Sequence, residues 1–325
     1  MTAEWVHQSV LLNEVVEAFP FGGERKLLID GTLGNGGHSA ALLRKYPGLH
    51  ILGIDRDKDA LSRAAETLAF AGDRVTLVHG NFSGLAGKLQ EYGAEKADGI
   101  LLDIGVSSPQ LDDPSRGFSW RADGPLDMRM DRTSPENASR LLNRASEADL
   151  AEIFREYGEL RSARKLAAAV VETRQKKPFA TTLDLVELCD RVLGKSRPGT
   201  LPMPTLVFQA LRIAVNDELG ELRQALQAAV DVLSPGGRLA VISFHSLEDR
   251  IVKRFFKEEA ASCVCPPGLP VCVCGKESTL KIITPHALTA TDEERSANKR
   301  SACAKLRVAE KKEVHFNDTN QRRHP

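Results

Sequence analysis

The chain has 325 residues, of which 42% are hydrophobic, so it can bury a full core and is not a disordered protein. Lys and Arg number 44, as do Asp and Glu, so bulk charge predicts neither nucleic-acid nor membrane binding, and such partners would need local patches. The N-terminus does not resemble a signal peptide, and no apolar run approaches the roughly 20 residues of a membrane span. Together with six cysteines, this favours a cytoplasmic protein without a membrane partner.

The first hundred residues alternate between short apolar runs and helical patterns. We predict strands at 27–29, 51–55, 75–79 and 99–103, and a helix at 58–70. Short apolar strands separated by helices indicate an α/β fold, with a mostly parallel, doubly wound sheet that has helices on both faces.

The alternation stops between residues 113 and 216, where only helical periods are found. It then returns with a helix at 219–233, a strand at 239–244 and a capping box at Ser246–Asp249. We therefore predict a core domain of residues 1–112 and 217–314, an inserted all-helical substrate-recognition domain of residues 113–216, and a polar tail of residues 315–325.

A glycine-dense turn follows the first predicted strand. The strand ends at Asp30, Gly34 and Gly36 follow in the turn, and a helix pattern begins near His38. Strand, glycine turn and helix are typical of a nucleotide-type cofactor site, but Ser39 occupies the third glycine position of the dinucleotide fingerprint. A carboxylate at Asp30 would repel a pyrophosphate and suits a cationic cofactor such as S-adenosylmethionine. The alternative is a tight turn without a ligand.

Three predicted strands end in acids, namely Asp30, Asp55 and Asp103. Asp55 lies 21 positions after Gly34, the spacing of an acid that binds ribose hydroxyls. Each acid alone could merely cap the following turn. Three at equivalent strand ends favour a site for a positively charged adenosine cofactor.

The fourth predicted strand leads into a Ser-Pro turn, with Asp103 followed by Ser107, Ser108, Pro109 and Gln110. This resembles the loop of enzymes that methylate exocyclic amines, although the second proline of that loop is absent. The cytosine amino group is a poor nucleophile because its lone pair is delocalised into the ring. Acceptors that hold its N–H groups would align the lone pair with the methyl group, with modest help from a general base.

Longer blocks of sequence resemble the ribosomal RNA small subunit methyltransferase H family, also called MraW. They include DGTLGNGGHS, GIDRD, FQALRIAVNDEL, LSPGGRLAVISFHSLEDRIVK and, at 107–131, SSPQLDDPSRGFSWRADGPLDMRMD. The resemblance runs from His7 to about Lys311. It implies a class I (Rossmann-like) methyltransferase core with an inserted helical domain. It also implies S-adenosylmethionine-dependent N4-methylation of a cytosine in the decoding region, at the P site, of 16S ribosomal RNA in the small ribosomal subunit.

The matching blocks imply cofactor contacts in addition to Asp30 and Gly34. These are Gly36, Gly37, His38, Asp55, Phe82, Asp103 and Gln110. Phe82 would pack on adenine, and its alternative is an ordinary core phenylalanine. By location, the residues expected to position the amine are Asp103, Ser107, Ser108 and Pro109.

Four further residues are candidates for substrate binding. Phe118 and Trp120 lie in a glycine-rich loop and could stack on a flipped base or pack between core and insert. Arg129 could line the cleft or pair with Asp127. His245 ends the strand at 239–244, where it could reach the substrate or cap the next helix.

Two groups of residues keep alternative interpretations. A basic stretch could contact phosphates or form a solvated face; it contains Arg161, Arg164, Lys165, Arg174, Lys176 and Lys177. Four cysteines in two Cys-x-Cys pairs could hold zinc, although reduced, partly buried thiols are the default and we predict no metal for the reaction; they are Cys263, Cys265, Cys272 and Cys274.

The sequence thus predicts an rRNA cytosine-N4 methyltransferase, and it leaves open whether the chain forms a homodimer. One alternative is a methyltransferase acting on cytosine N4 in DNA or on another RNA, although no duplex-reading motif is evident. The other is a non-catalytic, zinc-containing ribosome-assembly factor, for which the cysteines and basic patches would speak.

Overall fold

The structure is a computed structural model that describes residues 9–194, 201–266 and 274–313. The predicted polar tail lies outside these residues. The described part divides into two compact units. One lies within Met1–Asp55, Ala60–Ile104 and Arg223–Pro325, and the other within Arg56–Asp59 and Gly105–Leu222. Among the described residues, no helix is both long and apolar enough to cross a membrane.

The first part of the chain builds four strands with intervening helices. In chain order these are α1 (Leu12–Ala18), β1 (Lys26–Asp30), α2 (Gly37–Lys45), β2 (Leu49–Asp55), α3 (Lys58–Thr67), β3 (Val75–His79), α4 (Leu85–Glu91) and β4 (Ala97–Asp103). The four predicted strands are confirmed. The predicted helix at 58–70 ends at Thr67 and gives way to a 3-10 turn at Ala69–Arg74.

Helices make up the regular structure of the second unit. They are α5 (Ser108–Asp112), α6 (Ala138–Arg144), α7 (Glu147–Glu156), α8 (Ala163–Lys176), α9 (Thr182–Leu193) and α10 (Met203–Asn216). They enclose their own core, in which Phe154, Leu166 and Leu185 are fully buried. Between residues 113 and 216, the described residues contain no strand, only an isolated bridge between Pro125 and Thr181.

The remaining elements complete the sheet. They are α11 (Glu218–Val232), β5 (Leu233–Ser243), α12 (Ser246–Ala260), β6 (Leu280–Ile282), α13 (Asp292–Ala297) and β7 (Lys305–Lys311). The seven strands lie in the order β3-β2-β1-β4-β5-β7-β6. From β3 to β5 all neighbours are parallel, whereas β7 is antiparallel to both β5 and β6. This order is the doubly wound, Rossmann-like arrangement, and it reverses between β1 and β4.

The bounds of the two units differ from those of the predicted domains. The second unit comprises Gly105–Leu222, where the prediction has residues 113–216, together with Arg56–Asp59, which no sequence pattern separates from the core. One detail of the sequence prediction needs correction. The cap of α12 is His245, one residue before the predicted Ser246, because the Glu248 carboxylate accepts the N–H groups of Phe244 and His245 at 2.8 and 3.2 Å.

Candidate functional site

The strand order places three carboxylates at one edge of the sheet. Asp30, Asp55 and Asp103 are the last residues of β1, β2 and β4, which are adjacent parallel strands. The sheet reverses its order between β1 and β4, and folds of this type bind ligands beyond the carboxyl ends of the strands at that point. Asp55 and Asp103 are partly exposed, whereas Asp30 is buried.

The glycine turn between β1 and α2 needs residues without a Cβ atom. Gly36 caps α2 with φ of 79°, and Gly34 has φ of 54°. Both values lie in the left-handed region that glycine adopts without steric cost. The Gly34 N–H donates to Asp55 Oδ2 at 2.7 Å, which ties the turn to the end of β2. A Cβ at Gly37 would collide with the Ser9 hydroxyl. Of the predicted cofactor residues, Gly34 and Gly36 thus lie in one turn, and Asp55 contacts this turn from the end of β2.

Asp30 is held by the protein itself. Its Oδ2 accepts from the Ser39 hydroxyl at 2.7 Å, and its Oδ1 accepts from the Thr32 N–H at 3.3 Å. Burial raises the pKa of Asp30 to about 6, with the Ser39 hydrogen bond and neighbouring His38 opposing the shift. Asp30 therefore fixes the turn, and the carboxylates that reach the surface of this edge are those of Asp55 and Asp103.

His38 lies in the first turn of α2, and its ring is close to Asp103 at the end of β4. Its Nε2 is 2.8 Å from the Val10 carbonyl oxygen, which can only accept, so Nε2 carries the proton. Burial lowers the pKa of His38, which keeps the ring neutral. Its Nδ1 is then an acceptor, 3.8 Å from Asp103 Oδ2. The Asp103 N–H donates to Thr32 Oγ1 at 2.5 Å, which anchors the end of β4 to the same turn.

Phe82 packs close to the glycine turn. It opens the 3-10 turn Phe82–Gly84 after β3 and is only 6% exposed. A Cβ built on Gly31, the residue that follows Asp30, would lie 3.1 Å from the Cβ of Phe82. Phe82 therefore packs closely against the start of the turn. The position suits either a wall for adenine or core packing, and the cofactor contact stays a prediction.

In the second unit, a buried network that sequence reasoning missed surrounds Gln110. Its Nε2 donates to Asp57 Oδ2 at 2.9 Å, and its Oε1 accepts from the Ser107 N–H at 3.1 Å. Arg116 Nη1 donates to the same Asp57 oxygen at 2.9 Å. Burial disfavours the charge on Asp57, but the bonds from Gln110 and Arg116 outweigh it and lower the pKa. The signal available in the sequence was the second acid of GIDRD and the arginine of PSRGF.

The Ser-Pro turn forms the start of α5. Ser107 is the N-cap, and Ser108 and Pro109 are the first helical residues, where proline's fixed φ suits a helix start. Ser107 and Gln110 form a capping box, in which the Ser107 side chain faces the Gln110 N–H. Among the described residues, the buried Ser107 hydroxyl oxygen has no further hydrogen-bond partner. A buried polar atom of this kind is a group that a ligand can satisfy.

Two of the predicted substrate residues are built into the second unit's own structure. Phe118 is 6% exposed within its core, and half-buried Trp120 donates from Nε1 to Thr205 Oγ1 at 3.0 Å. Both rings thus pack within the second unit. Packing between core and insert and contact with a flipped base both stay predictions.

The other two, Arg129 and His245, also have partners within their own units. Arg129 forms a two-pronged ion pair with Asp127, at 2.7 and 2.8 Å, and its Nη1 donates to the carbonyls of Arg132 and Ser134. His245 caps α12, with Nδ1 accepting from the Glu248 N–H at 3.5 Å. Substrate binding by either residue stays a prediction.

Most of the basic residues on and beside α8 are exposed. Half-buried Arg174 donates to the carbonyls of Leu142 and Ala145. Lys176 pairs with Glu172 and Lys177 with Asp184, although both lysine side chains are exposed. Arg161 and Arg164 are exposed as well. Exposed ion pairs are weak, so a phosphate on this face could contact these two guanidinium groups and the lysines beside them.

Comparison with known proteins shows the family to which the chain belongs. The model of the MraW methylase family matches residues 4–312. The chain belongs to the MraW methylase family. It is 52% identical over 309 residues to ribosomal RNA small subunit methyltransferase H of Heliobacterium modesticaldum, covering 94% of this chain and 98% of that protein. The protein of the same name from Carboxydothermus hydrogenoformans is 48% identical over 311 residues, covering 95% of this chain and 98% of its own length.

Solved structures add only a weak likeness. A putative rRNA methylase from Clostridium thermocellum shares 14% identity with a TM-score of 0.43, covering 94% of this chain and 98% of that one. A likeness this weak supports no conclusion about the function of the chain. The family match confirms the predictions of a methyltransferase and of S-adenosylmethionine as its cofactor. It does not assign roles to individual side chains.

Proposed function

We propose that the chain transfers a methyl group from S-adenosylmethionine to N4 of a cytosine in the decoding region of 16S ribosomal RNA, at the P site. The observation that carries this proposal is the meeting of three strand-end carboxylates with a glycine turn in a member of a methylase family. Relatives of nearly the same length, named as methyltransferases of small-subunit ribosomal RNA, support the substrate class.

The edge of the sheet suits a cationic ligand with a ribose. S-adenosylmethionine would supply an electrophilic methyl group on a sulfonium, next to an ammonium and without a phosphate. Asp55, at the end of β2, would accept the ribose hydroxyls, while the Gly34 N–H holds one of its oxygens in place. Asp103 is also partly exposed, with its Oδ2 3.8 Å from His38 Nδ1, and its charge favours a cationic group there.

The residues following β4 would position the amine. Asp103 ends the strand, and Ser107 follows four positions later with a buried hydroxyl oxygen that a substrate N–H could satisfy. When bound, S-adenosylmethionine would supply the methyl group to the N4 lone pair and would be left as a thioether. Asp103 is our assignment for the group that would accept the N4 proton. Most of the rate gain would come from in-line positioning, and general-base help would be smaller.

The test incubates the purified chain with small ribosomal subunits lacking the modification and with methyl-labelled S-adenosylmethionine, followed by nucleoside mapping. Label on N4 of one decoding-region cytosine is expected. Naked 16S RNA and duplex DNA are run in parallel, because label only on DNA, only on protein or on another base would overturn the proposal.

Two aspartate variants sharpen the assignment. Asp103→Asn keeps the size of the side chain but removes the charge and the proton acceptor, so we expect the labelling rate to fall about 100-fold or more, the range of general acid–base effects. Asp231→Asn, an exposed aspartate on α11, is the matched control and should label at the wild-type rate. Equal labelling rates for the two variants would show that Asp103 is not the proton acceptor.

A further inference from the structure

Three cysteine sulfurs converge in the segment between α12 and β6. The Sγ atoms of Cys263, Cys265 and Cys274 all lie within 4.8 Å of one another. Those of Cys263 and Cys274 are 3.9 Å apart. Cys272, the fourth cysteine of the predicted cluster, lies outside the described residues. We propose that Cys263, Cys265 and Cys274 bind one zinc ion as thiolates, at a structural site separate from the methyltransferase chemistry.

The sulfur spacing matches that of a tetrahedral zinc–thiolate site. Zinc–sulfur bonds of about 2.3 Å in tetrahedral geometry place two sulfurs about 3.8 Å apart. The Cys263–Cys274 separation of 3.9 Å meets this value without movement of the backbone. A disulfide between the same residues would need the sulfurs to approach to about 2.05 Å. The arrangement therefore fits a shared ion better than a covalent bond.

Backbone amides already point at the sulfurs. The Val264 N–H donates to Cys274 Sγ at 3.4 Å, and the Cys265 N–H donates to Cys263 Sγ at 3.3 Å. Amide hydrogen bonds to sulfur stabilise the thiolate form, which is the form that binds metal. Bonds to the ligand atoms from outside the coordination sphere also orient them, as in known metal sites.

The two ends of the segment are joined by hydrogen bonds between Glu259 and Thr279, which we call its base. Beyond this base the segment has little apolar packing. At the base, the Thr279 N–H donates to the Glu259 carbonyl oxygen at 2.9 Å, and the Thr279 hydroxyl donates to the Glu259 carboxylate. None of its described residues is a buried hydrophobic residue, and Val264 is 61% exposed. A metal ion held by the cysteines would restrain a segment that lacks a core of its own.

Zinc is favoured over other metals by the donor set. Thiolates bind the borderline-soft Zn²⁺ strongly, whereas Mg²⁺ and Ca²⁺ prefer oxygen ligands. Three protein thiolates occupy three corners of a tetrahedron, and the fourth corner takes a further ligand. The methyl transfer proposed above is not a redox reaction and needs no Lewis acid at this segment, so the ion's contribution is structural.

The test measures bound metal directly. The full chain is purified without chelators and analysed by elemental mass spectrometry, where about one zinc per chain is expected. Metal-free chain is then titrated with Co²⁺ under a phosphine reductant, and the visible d–d bands of tetrahedral cobalt–thiolate coordination should appear and vanish on adding zinc.

Serine variants assign the ligands. Cys263→Ser and Cys274→Ser should each lower zinc content roughly tenfold or more, because a neutral hydroxyl replaces a thiolate ligand. Cys303→Ser removes another exposed cysteine, outside the cluster, and should retain the wild-type zinc content. Less than a tenth of an equivalent in the wild type together with no cobalt spectrum would overturn the proposal. So would unchanged zinc in the two cluster variants, or a Cys263–Cys274 disulfide in a non-reduced digest. None of these readouts depends on methyl transfer, so failure here leaves the proposed function standing.

Discussion

Removing the charge of Asp57 should destabilise the second unit far more than removing the neighbouring charge of Asp59. The side chains of Asp57 and Arg116 are only 4% and 6% exposed, and they pair at 2.9 Å. Asp59 is 61% exposed and lies 4.0 Å from the same guanidinium. The two aspartates share one cation and differ in burial, so Asp59→Asn is a matched control for Asp57→Asn.

The expected cost follows from what Asp57→Asn leaves behind. Arg116 Nη2 keeps the carbonyls of Arg129 and Met130, at 3.0 and 3.1 Å, but Nη1 loses its charged acceptor. Gln110 Nε2 competes for the one remaining oxygen. Breaking a buried ion pair from one side costs about 3–5 kcal/mol, and we expect about 3 kcal/mol because the asparagine oxygen still accepts one bond. Asp59→Asn should cost under about 0.5 kcal/mol, as exposed pairs contribute little.

The assay is urea unfolding followed by tryptophan fluorescence, with Trp120 reporting from within the second unit. Adding Arg116→Met to Asp57→Asn removes the unpaired cation and should recover part of the lost free energy, so the double variant loses less than the sum of the single losses. A cost below about 1 kcal/mol for Asp57→Asn, or equal costs for the two asparagine variants, would refute the reasoning.

The same pair predicts a pH dependence. The pKa of folded Asp57 lies below its ordinary value, so the ionised pair stabilises the fold above the unfolded pKa of about 3.9. This contribution is lost as the pH falls through the lower, folded pKa. The stability gap between wild type and Asp57→Asn should therefore be constant near neutrality and narrow below about pH 4. A gap that narrows near neutral pH would point to another group.

Three further predictions concern the turn and the basic face. In urea unfolding, Asp30→Asn should gain about 2.4 kcal/mol of stability relative to wild type as the pH rises from 4 to 7. The reason is that the folded pKa of Asp30 is raised from 3.8 to about 6, so ionising the buried carboxyl costs the wild type free energy. A pH-independent difference would contradict this prediction. Gly36→Ala should lower stability by about 1–2 kcal/mol and weaken S-adenosylmethionine binding in calorimetry, because φ is 79° and a Cβ would lie 3.1 Å from Leu68, whereas Gly22→Ala meets no atom within 4 Å and should change neither. Replacing Arg161 and Arg164 with alanine should weaken 16S RNA binding and lower the slope of log affinity against log salt by about 1–2, while Arg25→Ala leaves it unchanged; equal slopes would exclude α8 from the RNA interface.

The sequence predicted the elements whose pattern is local. The four strands from β1 to β4 are apolar runs with an acid or a histidine at the end, so their positions follow from a few adjacent residues. β7 was missed as a strand because Lys305, Arg307 and Lys311 interrupt its apolar residues. Lys305 and Arg307 both pair with Asp249, which lies 56 and 58 positions earlier in the chain. A partner that distant leaves no local trace.

The contacts of the candidate site also divide into those with a local sequence pattern and those with distant partners. The link between Gly34 and Asp55 was visible because an acid 21 positions after a glycine turn is a known spacing. The contact of Asp57 with Arg116 spans 59 positions and has no such pattern. It also accounts for the domain boundary, since the residues Arg56–Asp59 leave the core and join the helical unit through this network. A boundary set by tertiary hydrogen bonds cannot be read from hydrophobic periodicity.

Two departures of the turn from a dinucleotide fingerprint have one physical cause. The sequence has an acid, Asp30, where a pyrophosphate would approach. It also has a serine, Ser39, where the fingerprint has glycine or alanine for close helix–strand packing. In the structure the Ser39 hydroxyl donates to the Asp30 carboxylate at 2.7 Å, with both side chains buried. Without that hydroxyl, Asp30 would lose the strongest of the interactions that oppose its protonation. The serine and the aspartate therefore depend on each other, and together they keep a negative charge beneath the turn at neutral pH, which favours a sulfonium over a phosphate.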